Sequence, residues 1–258
     1  MSYIKKNLII FCMIFIGVST VIGIYNFKTN GAFVGAQRKL PIYNVDTKDK
    51  KIAISFDASW GDDKTDEILK ILDKYNAKAT FFVVGAWVDQ YPGKLKIMYE
   101  KGHEIGNHSN KHPMMTTISK EEMIKEIDTT DAKIMDITGK GTTLFRCPSG
   151  EYNNLVVETV EATNHYCIQW DVDSIDWKEQ GAEIEYNRII KNAKPGSILL
   201  FHNNAKYTPQ NLSKILQYLK DQGYTFVKVS DLIYKKNYYI DAAGKRSEER
   251  RVGKECME

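Results

Sequence analysis

From Lys50 onward, short runs of β-branched and aromatic residues alternate with stretches whose apolar residues recur at helical spacing. The strand-type runs fall at 51–56, 79–84, 104–107, 143–147, 166–171, 197–201 and 225–229. Between the first two, Asp66-Glu67-Ile68-Leu69-Lys70-Ile71-Leu72 predicts an amphipathic helix with Thr65 as its N-cap. Ser119-Lys120-Glu121-Glu122 is a capping box, and Met123, Ile124, Ile127, Ile134 and Ile137 continue one apolar face behind it. Stretches 155–162, 184–192 and 211–221 complete the helices, with Gly102, Gly139 and Gly223 where helices would stop. Strand–helix alternation implies βαβ units and a parallel sheet. Seven strands point to an α/β fold, a (β/α) barrel, with a doubly wound open sheet as the alternative.

The two ends break the rhythm. Lys5 and Lys6 precede a nearly unbroken apolar run, Leu8 to Phe27, and Lys28 follows. About 20 apolar residues can cross a bilayer once. The lysines before the run favour an N-terminus inside and the rest of the chain outside. Residues 1–28 are therefore expected to be an uncleaved single-pass transmembrane helix, with a cleaved signal peptide and a secreted product as the rival. Residues 29–49, polar and carrying Gly31, Gly35 and Pro41, read as a linker. The domain is expected at 50–241. Residues 242–258, with Arg246-Ser247-Glu248-Glu249-Arg250-Arg251 and Val252-Gly253-Lys254-Glu255-Cys256, look like a translated sequencing adapter, and are set outside the fold as a non-native tail.

Composition adds little. The net charge of +3 over 258 residues comes without a basic stripe, which argues against a nucleic-acid partner. Of the cysteines, Cys147 and Cys167 fall in the domain, on neighbouring strands. Two buried thiols are the expectation, with a disulfide as the alternative.

In barrels of this kind the chemistry sits at the C-terminal strand ends. Read there, the chain offers Asp57, then His108 and His112, then Arg146, then Asp171, Asp173 and Asp176, then His202. Each alone has an ordinary structural explanation; together they converge on one rim. His108 and His112, four apart in a loop that Pro113 closes, can offer two nitrogens to one divalent metal. His103 and His165 lack such company and read as structural.

Five short stretches now carry a resemblance: Ser55-Phe56-Asp57-Ala58, His108-Ser109-Asn110-Lys111-His112, Arg146-Cys147-Pro148-Ser149-Gly150, Asp173-Ser174-Ile175-Asp176-Trp177 and Leu200-Phe201-His202. In this order they resemble the polysaccharide deacetylases of the NodB-homology group, carbohydrate esterase family 4. The resemblance implies a distorted (β/α) barrel of about seven parallel strands. It also implies hydrolysis of N-acetyl or O-acetyl groups on a sugar polymer, with a divalent metal: zinc first, cobalt, manganese or nickel otherwise. It further implies roles. His108 and His112 would hold the metal, Asp57 would be the base, His202 the acid, Arg146 the partner of Asp57 and Asp176 the partner of His202. Trp177 and Leu200 would wall the acetyl methyl group, and the Ser149 N–H would face the oxyanion.

The family pattern has a second aspartate, the third metal ligand, where this chain has Ala58. Asp63, or Asp62 in its place, is the expected replacement, with N-terminal helix charge as their ordinary role. Without a replacement the protein would be a weak or inactive glycan binder of the same fold. The Phe56 to Gly61 pattern is similar to a branch from spore-forming Gram-positive bacteria tied to sporulation and peptidoglycan. The expected partner is thus a cell-wall glycan, the expected place the outer face of the cell membrane, and the expected state a monomer.

Overall fold

A computed structural model of the chain describes residues 38–249. A short strand, β1 (Asn44–Val45), precedes the central strand β2 (Lys51–Ala58). There follow β3 (Thr80–Val83), β4 (Glu104–Asn107), β5 (Leu144–Phe145), β6 (Tyr166–Cys167), β7 (Val172–Asp173), β8 (Ile198–His202) and β9 (Thr225–Val227). The helices are α1 (Thr65–Lys74), α2 (Gly85–Gln90), α3 (Pro92–Glu100), α4 (Lys120–Thr138), α5 (Asn154–Ala162), α6 (Ala182–Asn192), α7 (Thr208–Asp221) and α8 (Val229–Leu232). Two strands, β10 (Tyr238–Ile240) and β11 (Lys245–Glu248), end the described chain.

The main sheet runs β6-β5-β4-β3-β2-β8-β7, with β9 paired to the first half of β2. All its pairings are parallel, as the alternation of strands and helices requires. β2 is buried along almost its whole length, and its period of two separates its residues into two sets. Ile52, Ile54, Phe56 and Ala58 pack against Ile68, Leu72, Leu212 and Ile215 of α1 and α7. Ser55 and Asp57 point the other way, toward Arg146. Burying each large apolar side chain of β2 contributes about 1.5–3 kcal/mol.

The expected capping box is formed: Ser119 Oγ accepts from Glu122 N, and the Glu122 carboxylate accepts from Ser119 N. Gly139 ends that helix in the left-handed conformation, φ +71. Met123, Ile127 and Ile134 are buried, as their spacing requires. The N-cap at Thr65 is corrected: Thr65 is the first helical residue, and Lys64 before it makes no side-chain cap bond.

Two boundaries move. The expected linker ends early, because Ile42 and Val45 are each only 2% exposed. Ile42 N donates to Cys167 O and Gln169 N to Ile42 O, while Val45 N donates to Gly196 O. This segment therefore joins the β6 side of the curled sheet to the start of β8. At the other end, β11 pairs with β1 and β10, and Arg246 is buried between the rings of Tyr166 and Tyr238. The packed chain reaches Glu248, beyond the boundary set at Asp241. The expected transmembrane helix lies outside the described residues, and among those described no helix is long and apolar enough to cross a membrane.

Candidate active site

The strand ends open into a cavity of about 630 Å³, lined by Asp57, His108, His112, Ser149, Asp173, Asp176, Trp177, Leu200 and His202 among others. The residues singled out at separate strand ends thus meet in one place. Backbone strain concentrates around it. Ser109, His112, Ser149 and Ile175 all have positive φ, between +53 and +66. For the β-branched Ile175 this is an unfavourable conformation, held by its surroundings.

Asp57 lies at the end of β2. Arg146, fully buried, donates from one terminal nitrogen to Asp57 Oδ1 at 2.7 Å. Its other nitrogen donates to Ser55 Oγ at 2.8 Å and to Gln169 O at 3.3 Å. The guanidinium lies 4.0 Å from the centre of the Phe82 ring. Burial alone would push the Asp57 carboxyl up. The charges of Arg146 and the neighbouring histidines, with the Arg146 hydrogen bond, outweigh it and hold Asp57 below the usual carboxylate value. Asp57 is therefore an anion held in place by a fixed cation.

His108 follows β4 directly. Its Nδ1 is 2.8 Å from Arg146 O, so Nδ1 carries the proton and Nε2 the lone pair. Nε2 lies 3.4 Å from Asp57 Oδ2. Burial pushes the His108 pKa down to about 4, so the ring is neutral at neutral pH and this contact is no ion pair. Burial also lowers the pKa of His112. The two rings stand 4.9 Å apart, centre to centre. Their loop is tied down twice. Ser109 Oγ accepts from His112 N, and Glu126 of α4 accepts from both Asn110 N and Lys111 N.

His202 ends β8. Its Nδ1 is 2.7 Å from Asp176 Oδ1, while Asp176 Oδ2 accepts from His202 N and from Thr208 Oγ1. Burial disfavours the imidazolium, yet the Asp176 hydrogen bond and charge prevail and raise the His202 pKa above the ordinary histidine value. Trp177, 58% exposed, and Leu200, buried, form an apolar part of the cavity wall. Ser149 lines it in a short 3-10 turn, with φ +56.

The fit to a metal is partial. His108 and His112 are neutral imidazoles on one cavity, which suits a divalent ion. The expected third ligand is not brought there. Asp62 pairs with Lys94 at 3.6 Å, Asp63 is exposed, and neither lines the cavity. These two carboxylates sit at the approach to α1 and flank the helix start rather than the site. Ala58 is buried in the apolar cluster facing α1 and α7. Among the described residues, no three His, Cys, Asp or Glu side chains form a metal-binding group. What remains is a two-histidine site, with Ser59 Oγ buried beside it and lacking a hydrogen-bond partner.

Asp171 turns out to be structural: it holds Asn44, Ser197 and the Ile198 N–H. His103 and His165 are structural as expected, bonded to Ala79 N and to Asp131 respectively. Cys147 and Cys167 are buried free thiols with their sulfurs 3.7 Å apart. Sequence reasoning missed Thr208, Gln169 and Glu126, which hold site residues from other elements; no motif marks them.

Residues 44–168 match the family described as polysaccharide deacetylase. The chain is 34% identical over 198 residues to the peptidoglycan-N-acetylmuramic acid deacetylase PdaA of Bacillus subtilis, covering 75% of each chain. It resembles the structure of the peptidoglycan deacetylase PdaC from Bacillus subtilis with a TM-score of 0.67 and 37% identity, over 73% of this chain and 92% of that one. It also resembles a CE4 family pseudoenzyme from Bacillus anthracis, with a TM-score of 0.72 and 32% identity over 74% of this chain and 68% of that one. With its five motifs gathered around one cavity, the chain belongs to the polysaccharide deacetylase family.

Proposed function

We propose that the protein hydrolyses N-acetyl groups on the sugars of peptidoglycan. The observation that carries this reading is the pairing of a buried anion, Asp57 on Arg146, with a raised-pKa histidine, His202 on Asp176, across one cavity. Relatives named as peptidoglycan deacetylases support the substrate. A divalent metal on His108 and His112 would polarise the acetyl carbonyl and acidify a water. The chain's own residues do the rest. Asp57 Oδ2 takes a proton from the attacking water, while Arg146 keeps the carboxylate oriented. The Ser149 N–H faces the oxygen that gains charge. His202, its Nδ1 held by Asp176, delivers a proton from Nε2 to the leaving nitrogen as the C–N bond breaks. Acetate and a free amine leave. Trp177 and Leu200 give the acetyl methyl group an apolar wall.

We extend the proposal to place: an N-terminal anchor at 8–27 would hold a monomeric domain outside the cell, within reach of its wall, in a sporulating bacterium. The support is the apolar run and the lysines before it.

The test is acetate release by the full chain from peptidoglycan and from N-acetylglucosamine oligomers, after chelation and reloading with zinc, cobalt, manganese or nickel. Asp57→Asn and His202→Ala should each lower the rate by about 10²–10⁴-fold with the circular dichroism unchanged. A second reading, a glycan-binding protein without turnover, is favoured by Ala58 and the missing third carboxylate. Metal-independent glycan binding with no acetate released would establish it.

A further inference from the structure

Cys147 and Cys167 are both buried, and no step proposed above uses either. Their sulfurs meet at 3.7 Å as free thiols, twenty residues apart in the chain. Two neighbouring strands bring them together. Phe145 stands opposite Cys167 in the parallel ladder, and Cys147, two positions on, shares the Phe145 face. All three side chains belong to one apolar cluster with Met115, Met123 and Val156. Hydrogen bonds on both sides hold the pair in register. Ile168 N donates to Phe145 O at 2.8 Å before it, and Gln169 Nε2 donates to Gly150 O at 2.8 Å beyond it. The contact falls where the backbone is strained. Arg146, just before Cys147, orients Asp57, and Ser149, two residues after it, lines the cavity at φ +56. A non-glycine residue keeps that conformation only where its surroundings impose it.

We propose that Cys147 and Cys167 are a disulfide-forming pair, and that the bond between them fastens the Arg146–Ser149 segment to β6. Each thiol loses its hydrogen and one S–S bond forms, while a disulfide-bearing oxidant is reduced to two thiols that take up both hydrogens. The location proposed above is one where such bonds persist. Burial decides when the bond forms. The hydrogen bond with Cys147 and the apolar surroundings push the Cys167 thiol well above its ordinary value, so the folded pair holds little thiolate at neutral pH and exchanges slowly. Oxidation therefore belongs to folding, and the finished bond is permanent rather than a switch. The inference stands apart from the deacetylase reading, because connectivity is read without turnover.

The experiment reduces and unfolds the full chain carrying Cys12→Ser and Cys256→Ser, then refolds it with oxidised glutathione or with dithiothreitol. Remaining thiols are alkylated under denaturing conditions, proteolytic peptides are read by mass spectrometry, and melts are followed by circular dichroism. Refolding with oxidised glutathione should give one linked peptide pair, Cys147 with Cys167, and no alkylation at either. Its Tm should lie about 6–10 °C above that of the reduced form. Cys147→Ala and Cys167→Ala should each melt at one temperature under both conditions. Added to the chain already folded in its reduced form, oxidised glutathione should make the bond about tenfold more slowly than during refolding. A folded chain whose two thiols are both alkylated after oxidative refolding overturns the pair. So does an oxidised form that melts no higher than the reduced one. Oxidation of the folded chain as fast as during refolding overturns the permanent bond. The bond formed, with no acetate released from peptidoglycan, keeps the pair and overturns the deacetylase reading.

Discussion

Glu185, on the first turn of α6, is 2% exposed, and neither carboxylate oxygen finds a hydrogen-bond partner. Burial, reinforced by the charge of Asp176, pushes its pKa up to about 7 from 4.5. The folded state therefore holds its proton where the unfolded chain has lost it. As pH rises from about 4.5 to 7 the unfolded state is increasingly favoured, and above 7 the penalty is constant. Glu185→Gln should leave the Tm nearly unchanged at pH 4.5 and raise it by a few degrees at pH 8. A difference independent of pH in melts across that range would contradict the buried, protonated carboxyl. Arg146 behaves oppositely. Arg146→Met strands the Asp57 anion in the interior and should cost about 3–5 kcal/mol in urea unfolding. At this scale the sequence was readable where chemistry and strand ends coincide, as at Asp57, Arg146, Asp176 and His202. It was silent for Thr208 and Gln169, since a hydroxyl or a backbone carbonyl becomes a partner only when the fold delivers it.

Among elements, α4 does more than cover the sheet. Glu126 accepts from two loop N–H groups, and Asp131 and Ile127 O take the two protons of Asn107, whose Oδ1 in turn accepts from Ser109 N. The left-handed residues of the histidine loop are thus held from a helix that carries no motif. Glu126→Ala should orphan the half-buried Asn110 N–H, leave the exposed Lys111 N–H to water, and cost about 1 kcal/mol in urea melts. It should also broaden the His112 imidazole signals in NMR while those of His202 stay sharp. Broadening of neither, with the full stability retained, would show that the loop holds itself. The capping box and apolar face of α4 were legible because they are local. The strands around it were read too long: 143–147 and 166–171 shrink to β5 and β6, two residues each. Beyond β6, residues 168 and 169 pair with Ile42 instead of continuing the ladder. A partner more than a hundred residues away leaves no periodic trace.

That same pairing governs the whole molecule. The sheet path ends at β6 and β7, and Ile42–Val45 bridges the two sides through Cys167, Gln169 and Gly196. The bridge also bears on the site, because Gln169 O accepts from the Arg146 that orients Asp57. The approach to β2 reads as linker because Gly31, Gly35 and Pro41 break up its apolar residues. A chain that starts at Lys39 serves as the reference. One that starts at Lys51 loses the burial of Ile42 and Val45, about 1.5–3 kcal/mol each, with six backbone hydrogen bonds to residues beyond Lys51. At about 2–4 °C per kcal/mol its Tm should fall by roughly 10 °C or more. Its acetate release should fall further than the loss of folded protein explains, because the Arg146–Asp57 pair loses one wall. Equal melting of the two truncated chains would mean that the curled sheet stands without its N-terminal strap, and that residues 39–50 are the linker their sequence resembles.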